Sequence, residues 1–361
     1  MKRIGILTGG GDAPGLNAVI RAAVKTAILE YGCEVFGIRD GYDGFLDEKG
    51  VIPLQLQDVS GILSRGGTIL GAANRGNPYA RKVIRDGREI TIDVSDEIVK
   101  SIQRLKMDAL LVVGGDGTLR IAHELFLKGV PVIGVPKTID NDIGGTDVTF
   151  GFDTALNIAT EAIDRLHTTA EAHHRVMVLE LMGREAGFIA LHAGVAGGAD
   201  VILIPEISFK FESIVAKIRQ RVERGSLFSV LAVSEGAKPV GGTQIFSRGG
   251  NEIYVPRLGG VSQIVGEYVE KQGFETRVTV LGHLQRGGIP TAFDRWLATR
   301  YGAAAVRLAA RSGFGRMVGL RAEQITDIGL QEALVVPRRV KLDEDGILTA
   351  RGMGISFGDE S

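Results

Sequence analysis

Short, nearly continuous apolar runs alternate with helical stretches along the chain, and this alternation limits its fold more than any other feature. Runs of β-type residues fall at 4–8, 34–38, 109–113, 130–134, 176–181, 200–204, 228–233 and 276–281. Helical patterns lie between them at 15–30, 95–106, 118–128, 153–170, 211–224, 260–272 and 292–310. A strand that is apolar on both sides must be covered on both faces, the condition of parallel strands crossed by helices. An α/β protein of doubly wound sheets is therefore expected. The 361 residues leave room for two domains or three, at ~100–200 residues each. Residues 236–258 are rich in Gly, Pro and Ser and read as a long excursion or short hairpin, and the chain from 337 reads as a C-terminal strand or arm.

Hydrophobic residues make up 44% and charged residues 24% of the chain, which is ordinary for a globular protein that needs no staples. The formal net charge is -1, with Lys and Arg spread along the chain, so the basic footprint of a nucleic-acid binder is missing. No apolar run approaches the ~20 residues of a membrane span, and the first residues lack a signal-peptide pattern. One cysteine, Cys33, cannot form an intrachain disulfide, so a reducing, cytoplasmic setting is expected.

Ligands of open α/β sheets bind beyond the carboxyl ends of the strands. The glycines gather in those loops: there are 51, about twice the usual share of ~7%. Thr8-Gly9-Gly10-Gly11-Asp12-Ala13-Pro14-Gly15-Leu16-Asn17 joins the first strand to the first helix, where free N–H groups suit a phosphate. Gly114-Gly115-Asp116-Gly117-Thr118 opens another helix. Its Asp116 can cap that helix or hold magnesium, and the two roles are compatible. Pro136-Lys137-Thr138-Ile139-Asp140-Asn141-Asp142 packs two carboxylates beside a Lys and a Thr. Phosphoryl transfer needs such a set: a group to take the hydroxyl proton and cations to steady the spread charge. A fourth, dispersed set holds Arg175, Met182-Gly183-Arg184-Glu185, Glu235, Arg277 and His283-Leu284-Gln285-Arg286-Gly287-Gly288. Its arginines suit bidentate contact with phosphate.

Competing motifs drop out. The chain has no GxxxxGK[ST], no GxGxxG after a strand and no HExxH. Gly354-Ile355-Ser356-Phe357-Gly358 matches GxSxG, but lacks the following helix that a nucleophile elbow requires.

Taken together, these motifs resemble the phosphofructokinase family over nearly the whole chain. Gly114–Thr118 alone is shared with diacylglycerol kinases and NAD kinases; residues 136–142, 182–187 and 281–288 in combination are specific. The resemblance implies two Rossmann-like doubly wound domains with a cleft between them. One would be a nucleotide-binding domain of residues 1–150 plus about 285–335. The other would bind the sugar phosphate with residues 151–284 plus the C-terminal arm.

The resemblance also assigns roles. Gly11, Asn74, Arg75, Gly115, Asp116, Gly117 and Thr118 would contact the nucleotide phosphates, with Asp116 the ligand of Mg2+. Asp140 matches the general base, with Thr138 and Asp142 beside it, and Arg184 and Arg75 complete the catalytic set. Arg75 is the candidate transition-state arginine, because 66–71 is followed by Ala72-Ala73-Asn74-Arg75, one residue longer than the family pattern. Thr138, Ile139, Asp140, Arg175, Met182, Gly183, Arg184, Glu235, Arg277, His283, Leu284, Gln285 and Arg286 match acceptor contacts. Arg175 and Arg277 would reach in from a neighbouring subunit, so the site of a homodimer or homotetramer would be shared.

The implied activity is glycolytic: transfer from ATP to fructose 6-phosphate with Mg2+, giving fructose 1,6-bisphosphate. A pyrophosphate-dependent fructose 6-phosphate 1-phosphotransferase is the alternative. Pyrophosphate enzymes of the family carry Asp at the position of Gly117 and Lys at that of Lys137, so this chain pairs an ATP-type residue with a pyrophosphate-type one. A catalytically weak nucleotide-binding regulator on the same fold is disfavoured, because base, magnesium ligand and arginines are all present. Arg21, Lys25 and Arg65 resemble part of an effector set, but residues 224–227 lack its lysines.

Overall fold

A computed structural model describes residues 1–73, 76–85, 88–248 and 257–360. Its strands are β1 (Arg3–Thr8), β2 (Glu34–Ile38), β3 (Val51–Leu54), β4 (Arg81–Arg85), β5 (Arg88–Ile92), β6 (Ala109–Gly114), β7 (Val132–Pro136), β8 (Val176–Leu181), β9 (Val201–Leu203), β10 (Ser229–Ser234), β11 (Phe246–Arg248), β12 (Arg257–Leu258), β13 (Thr276–Val280), β14 (Arg316–Arg321) and β15 (Gln324–Gly329). Its α-helices are α1 (Leu16–Tyr31), α2 (Ser95–Arg104), α3 (Asp116–Leu127), α4 (Phe152–His173), α5 (Phe188–Ala196), α6 (Phe211–Glu223), α7 (Val261–Lys271), α8 (Ala292–Ala310), α9 (Leu330–Val335) and α10 (Asp345–Gly352).

The chain divides into two compact units, Met1–Thr154 with Arg286–Pro337, and Ala155–Gln285 with Arg338–Ser361. In the first, seven strands run in the order β15-β14-β7-β6-β1-β2-β3. Strands β2, β1, β6, β7 and β14 are parallel; β3 and β15 close the edges antiparallel. Strand alternation divides the core into two layers. Ile4, Ile6, Leu111, Val113, Ile133 and Val135 pack against α1 and α8 on one side. Leu7, Leu110, Val112 and Val132 pack against α2, α3 and α9 on the other. Both faces are covered, as continuous apolar strands require.

In the second unit all four strands, β13-β8-β10-β9, are parallel. Val176, Val178, Leu203, Leu231 and Val233 meet Ile214, Ile218, Val261 and Val265 of α6 and α7 on one face. Helix α5 lies close on the other: a Cβ at Gly194 would stand 2.6 Å from Ile202. Glu180 on β8 is buried and accepts hydrogen bonds from Gly260 N (3.0 Å), Ser262 N (3.1 Å) and Ser262 Oγ (2.6 Å), capping α7. The excursion at 236–258 holds the antiparallel pair β11–β12, with residues 249–256 outside the described set. The expected C-terminal arm instead contains α10, formed because Ile347 and Ala350 can be buried. Beyond it, Ser356 bridges to Val201 at the edge of β9.

One buried carboxylate organises the first unit. Asp294 in the first turn of α8 accepts from Gly151 N (2.9 Å), Thr154 N (2.8 Å) and Thr154 Oγ1 (2.6 Å), capping the start of α4. Burial outweighs these bonds and pushes its carboxyl up to about 6, from an ordinary 3.8. The native state therefore holds this proton more tightly than the unfolded chain. Its contribution to stability is full below about pH 4 and is lost as pH rises through 6. Asp294→Asn cannot titrate. Denaturant melts over a pH series should show wild-type stability falling relative to this variant, by on the order of 3 kcal/mol between about pH 4 and pH 7. A difference that stays flat contradicts this account.

Candidate active site

The strand order of the first unit reverses between β1 and β6: the chain leaves β1 for β2 on one side and β6 for β7 on the other. Such a switch point opens a crevice at the carboxyl ends of the two strands. Two of the motif loops start there. Gly9 N donates to Val113 O (2.9 Å), carrying the β1–β6 ladder into the glycine loop. Gly10 then turns through φ 74°, a left-handed conformation that favours glycine. Buried Asn17 donates to Arg65 O (3.1 Å) and accepts from Ile69 N (2.8 Å), and Thr8 Oγ1 donates to Gly71 O (2.7 Å). These bonds lace 65–71 to the loop. Asn74 and Arg75 lie outside the described residues.

After β6 the helix opens earlier than the apolar pattern indicates, at Asp116 rather than 118, with Gly115 as an extended N-cap. Asp116, Gly117 and Thr118 thus form the first turn, where N–H groups have no intrahelical acceptor and favour an anion. A Cβ at Gly117 would meet nothing within 4 Å, so its side faces open space. Asp116 Oδ2 accepts from Arg120 Nε (2.8 Å), and Arg120 also donates to Leu334 O (2.8 Å). Buried Tyr42 donates its hydroxyl hydrogen to Thr118 O (2.9 Å) from behind.

The loop after β7 comes to the same place. Lys137 is 2% exposed, and its Nζ donates to Gly11 O. Thr138 Oγ1 accepts from Asp140 N (3.1 Å). Asn141 (φ 55°) accepts from Thr149 N (3.0 Å), while Thr149 Oγ1 donates to Thr138 O (2.8 Å). Ile139 is fully buried, and its side chain anchors the loop. Asp142 is half-buried on the same loop. Asp140 is 4% exposed, and its Oδ1 is buried with no hydrogen-bond partner. Such an oxygen is costly and rare. Arg286 also belongs to this unit: it donates to Asp12 O (3.2 Å), and its Nη1 lies 2.7 Å from where a Cβ on Gly11 would be.

In the second unit the turn after β8 is held by side-chain oxygens from neighbouring strand ends. Met182 N donates to Gln285 Oε1 (2.8 Å) and Arg184 N to Glu235 Oε1 (3.2 Å). Gly183 takes φ 143°, and a Cβ there would stand 2.6 Å from Ala186 O, so only glycine fits. Arg184 is exposed, as are His283 and Leu284 in the 3-10 turn Gly282–Arg286. Gln285 is fully buried, with Nε2 unpartnered.

Arg175 and Arg277 lie elsewhere. Arg175 precedes β8 and Arg277 is the second residue of β13, so both sit at the amino edge of the sheet. A single carboxylate joins them: Glu275 Oε1 accepts from Arg175 Nε (2.7 Å) and Arg277 Nη2 (2.8 Å). The Arg175 hydrogen bond and then both positive charges hold the Glu275 carboxyl below its usual range. Strand rise puts this edge about 20 Å from Met182 and His283, too far for one ligand phosphate within one chain.

The phosphofructokinase family profile matches residues 3–309. The chain belongs to this family. An ATP-dependent 6-phosphofructokinase of Chloroflexus aurantiacus is 55% identical over 99% of this chain and 98% of its own length. A pyrophosphate–fructose 6-phosphate 1-phosphotransferase of Streptomyces coelicolor is 50% identical over 92% of this chain and 94% of its own. The solved phosphofructokinase of Saccharomyces cerevisiae superposes with a TM-score of 0.78 at 30% identity. That match covers 99% of this chain, which spans 47% of the yeast one. Among the described residues, no helix of this phosphofructokinase-family chain is long and apolar enough to cross a membrane, and no group of three or more His, Cys, Asp or Glu could hold a metal ion.

Tyr42 and Arg120 support the site without having been picked out from the motifs. Arg120 carried a usable signal, the helical i,i+4 spacing from Asp116. Tyr42 carried none, because its partner is a backbone carbonyl 76 residues away.

Proposed function

We propose that this chain is an ATP-dependent 6-phosphofructokinase, moving the terminal phosphoryl group of ATP to the 1-hydroxyl of fructose 6-phosphate and releasing fructose 1,6-bisphosphate and ADP. The observation that carries the proposal is Asp140, a buried carboxylate with an unpartnered oxygen, on the loop whose Lys137 reaches the glycine loop. Its Oδ1 takes the hydroxyl proton as the new O–P bond forms and the bond to the leaving ADP oxygen breaks. Thr138 and Asn141 fix the loop that aims it.

In this reading the donor phosphates lie along Gly11, Gly115, Gly117 and Thr118. Lys137 and the N-terminus of α3 oppose the negative charge. Mg2+ is commonly held by one or two carboxylates together with substrate phosphates and water. A half-exposed Asp116 beside a phosphate-binding helix end fits that pattern. Asp116 would hold the ion, whose chemistry is to neutralise charge on the donor phosphates. On the acceptor side, Met182, Gly183, Arg184, Glu235, His283, Leu284, Gln285 and Arg286 orient the sugar phosphate.

The donor is argued from exclusion. The open space at Gly117 leaves a path for the rest of the nucleotide, and an Asp there would put a negative charge into it. Specificity is often built from such clashes. Lys137 suits either donor, so it and the pyrophosphate-dependent relative keep pyrophosphate as the second reading. The amino-edge position of Arg175 and Arg277 supports a homodimer or homotetramer in which they serve the acceptor phosphate of a neighbouring subunit.

Asp140→Asn should lower kcat on the order of 10²–10⁴-fold, with a smaller effect on KM and a melting temperature close to wild type, since Oδ1 has no hydrogen bond to lose. Near-normal kcat would remove Asp140 from the role of base. For the shared site, Arg175→Ala and Arg277→Ala proteins, each inactive alone, should recover partial activity when mixed under conditions of demonstrated subunit exchange. Exchange without recovery contradicts the shared site.

A further inference from the structure

The turn at 182–187 is held at its far end by the chain's last segment. Three contacts of different chemistry meet there. Arg339 pairs with Glu185 of the turn. The Arg338 guanidinium lies 4.6 Å from the ring centroid of Phe188, the first residue of α5. Glu206 Oε1 accepts from Gly187 N and from Val340 N, both at 3.0 Å, so one oxygen joins the end of the turn to the C-terminal segment.

These contacts differ in weight. The Arg339–Glu185 pair is half-exposed, and such pairs contribute little. Glu206 is different. A Cβ on Gly187 would lie 2.7 Å from its Oε2, and that oxygen is buried without a partner. Burial pushes its carboxyl up, against its backbone hydrogen bonds. A group so placed is retained at a cost, and deleting it strands two N–H groups at once.

We infer that Glu206 and residues 338–340 are positioning elements for acceptor binding: they preset the 182–187 turn for the sugar phosphate. The inference rests on the acceptor reading of that turn given above. Gln285 and Glu235 hold the turn's first half through Met182 N and Arg184 N; Glu206 and the C-terminal segment hold its second half. Without the second anchor Arg184 loses its preset direction, whereas the glycine loops assigned to the donor are untouched.

The test is steady-state kinetics on the full-length enzyme, varying fructose 6-phosphate and ATP separately. Glu206→Ala should raise the acceptor KM roughly tenfold and leave the donor KM within about twofold. Glu206→Gln keeps an oxygen for both N–H groups and should restore the acceptor KM. Arg338→Ala/Arg339→Ala removes only the outer contacts and should raise the acceptor KM about threefold. Equal shifts in both KM values, or a Gln variant no better than Ala, would overturn the inference. If Glu206→Ala fails to fold, the double arginine variant decides, and an unchanged acceptor KM counts against it. If the wild-type protein does not phosphorylate fructose 6-phosphate, the functional reading has failed instead. The clamp is then judged by amide hydrogen exchange across 182–187, which should quicken in the double arginine variant and would refute the clamp if unchanged.

Discussion

The parallel pairing of β1 with β6 is the interaction on which the first unit depends. Because the chain diverges from these two strands in opposite directions, their carboxyl ends are the one place where two glycine loops can open side by side. The register Thr8↔Val113 brings Gly9 next to the strand that feeds Asp116. A slip of one residue would turn every apolar side chain of β1 to the wrong core layer and separate the loops as well. Core packing and site geometry are therefore specified by the same pairing.

Around that frame, buried polar side chains act as fasteners. Asp294 caps α4, Glu180 caps α7, Asn17 laces 65–69, and Glu206 ties the 182–187 turn to the C-terminal segment. Each holds backbone N–H groups that the secondary structure leaves unpaired. Asp140 differs from the first three. It is buried like them, but one of its oxygens has no donor. A carboxylate oxygen left so on the loop that meets the glycine turns reads as capacity kept for a substrate proton.

Much of this was legible in the amino-acid sequence, for identifiable reasons. The central strands carry long apolar runs, and the loops that follow them hold residue types with few alternative uses. Edge elements were harder. Strand β3 is short and β15 is largely half-exposed, so their periodicity is weak, and β14 offers only a four-residue buried run between two arginines. Helix α5, Phe188–Ala196, is apolar nearly all round and shows no 3.6-residue period to detect. Helix α10 contains two glycines, poor helix formers, and depends on tertiary burial of Ile347 and Ala350. The opposite-edge position of Arg175 and Arg277 follows from strand direction, which residue types alone do not reveal. The Asp116–Arg120 pair was readable from spacing, but its anchor on Leu334 O, 214 residues away, was not.

The central claim is donor choice, because acceptor and fold are common to both kinds of relative. It is tested most directly by measuring kcat/KM for ATP and for pyrophosphate side by side, with fructose 6-phosphate and Mg2+, in the natural protein and in Gly117→Asp. The account predicts that ATP is the efficient donor of the natural protein and that the substitution cripples its use by placing a carboxylate in the open space beside the phosphates. Higher efficiency with pyrophosphate in the natural protein would contradict it.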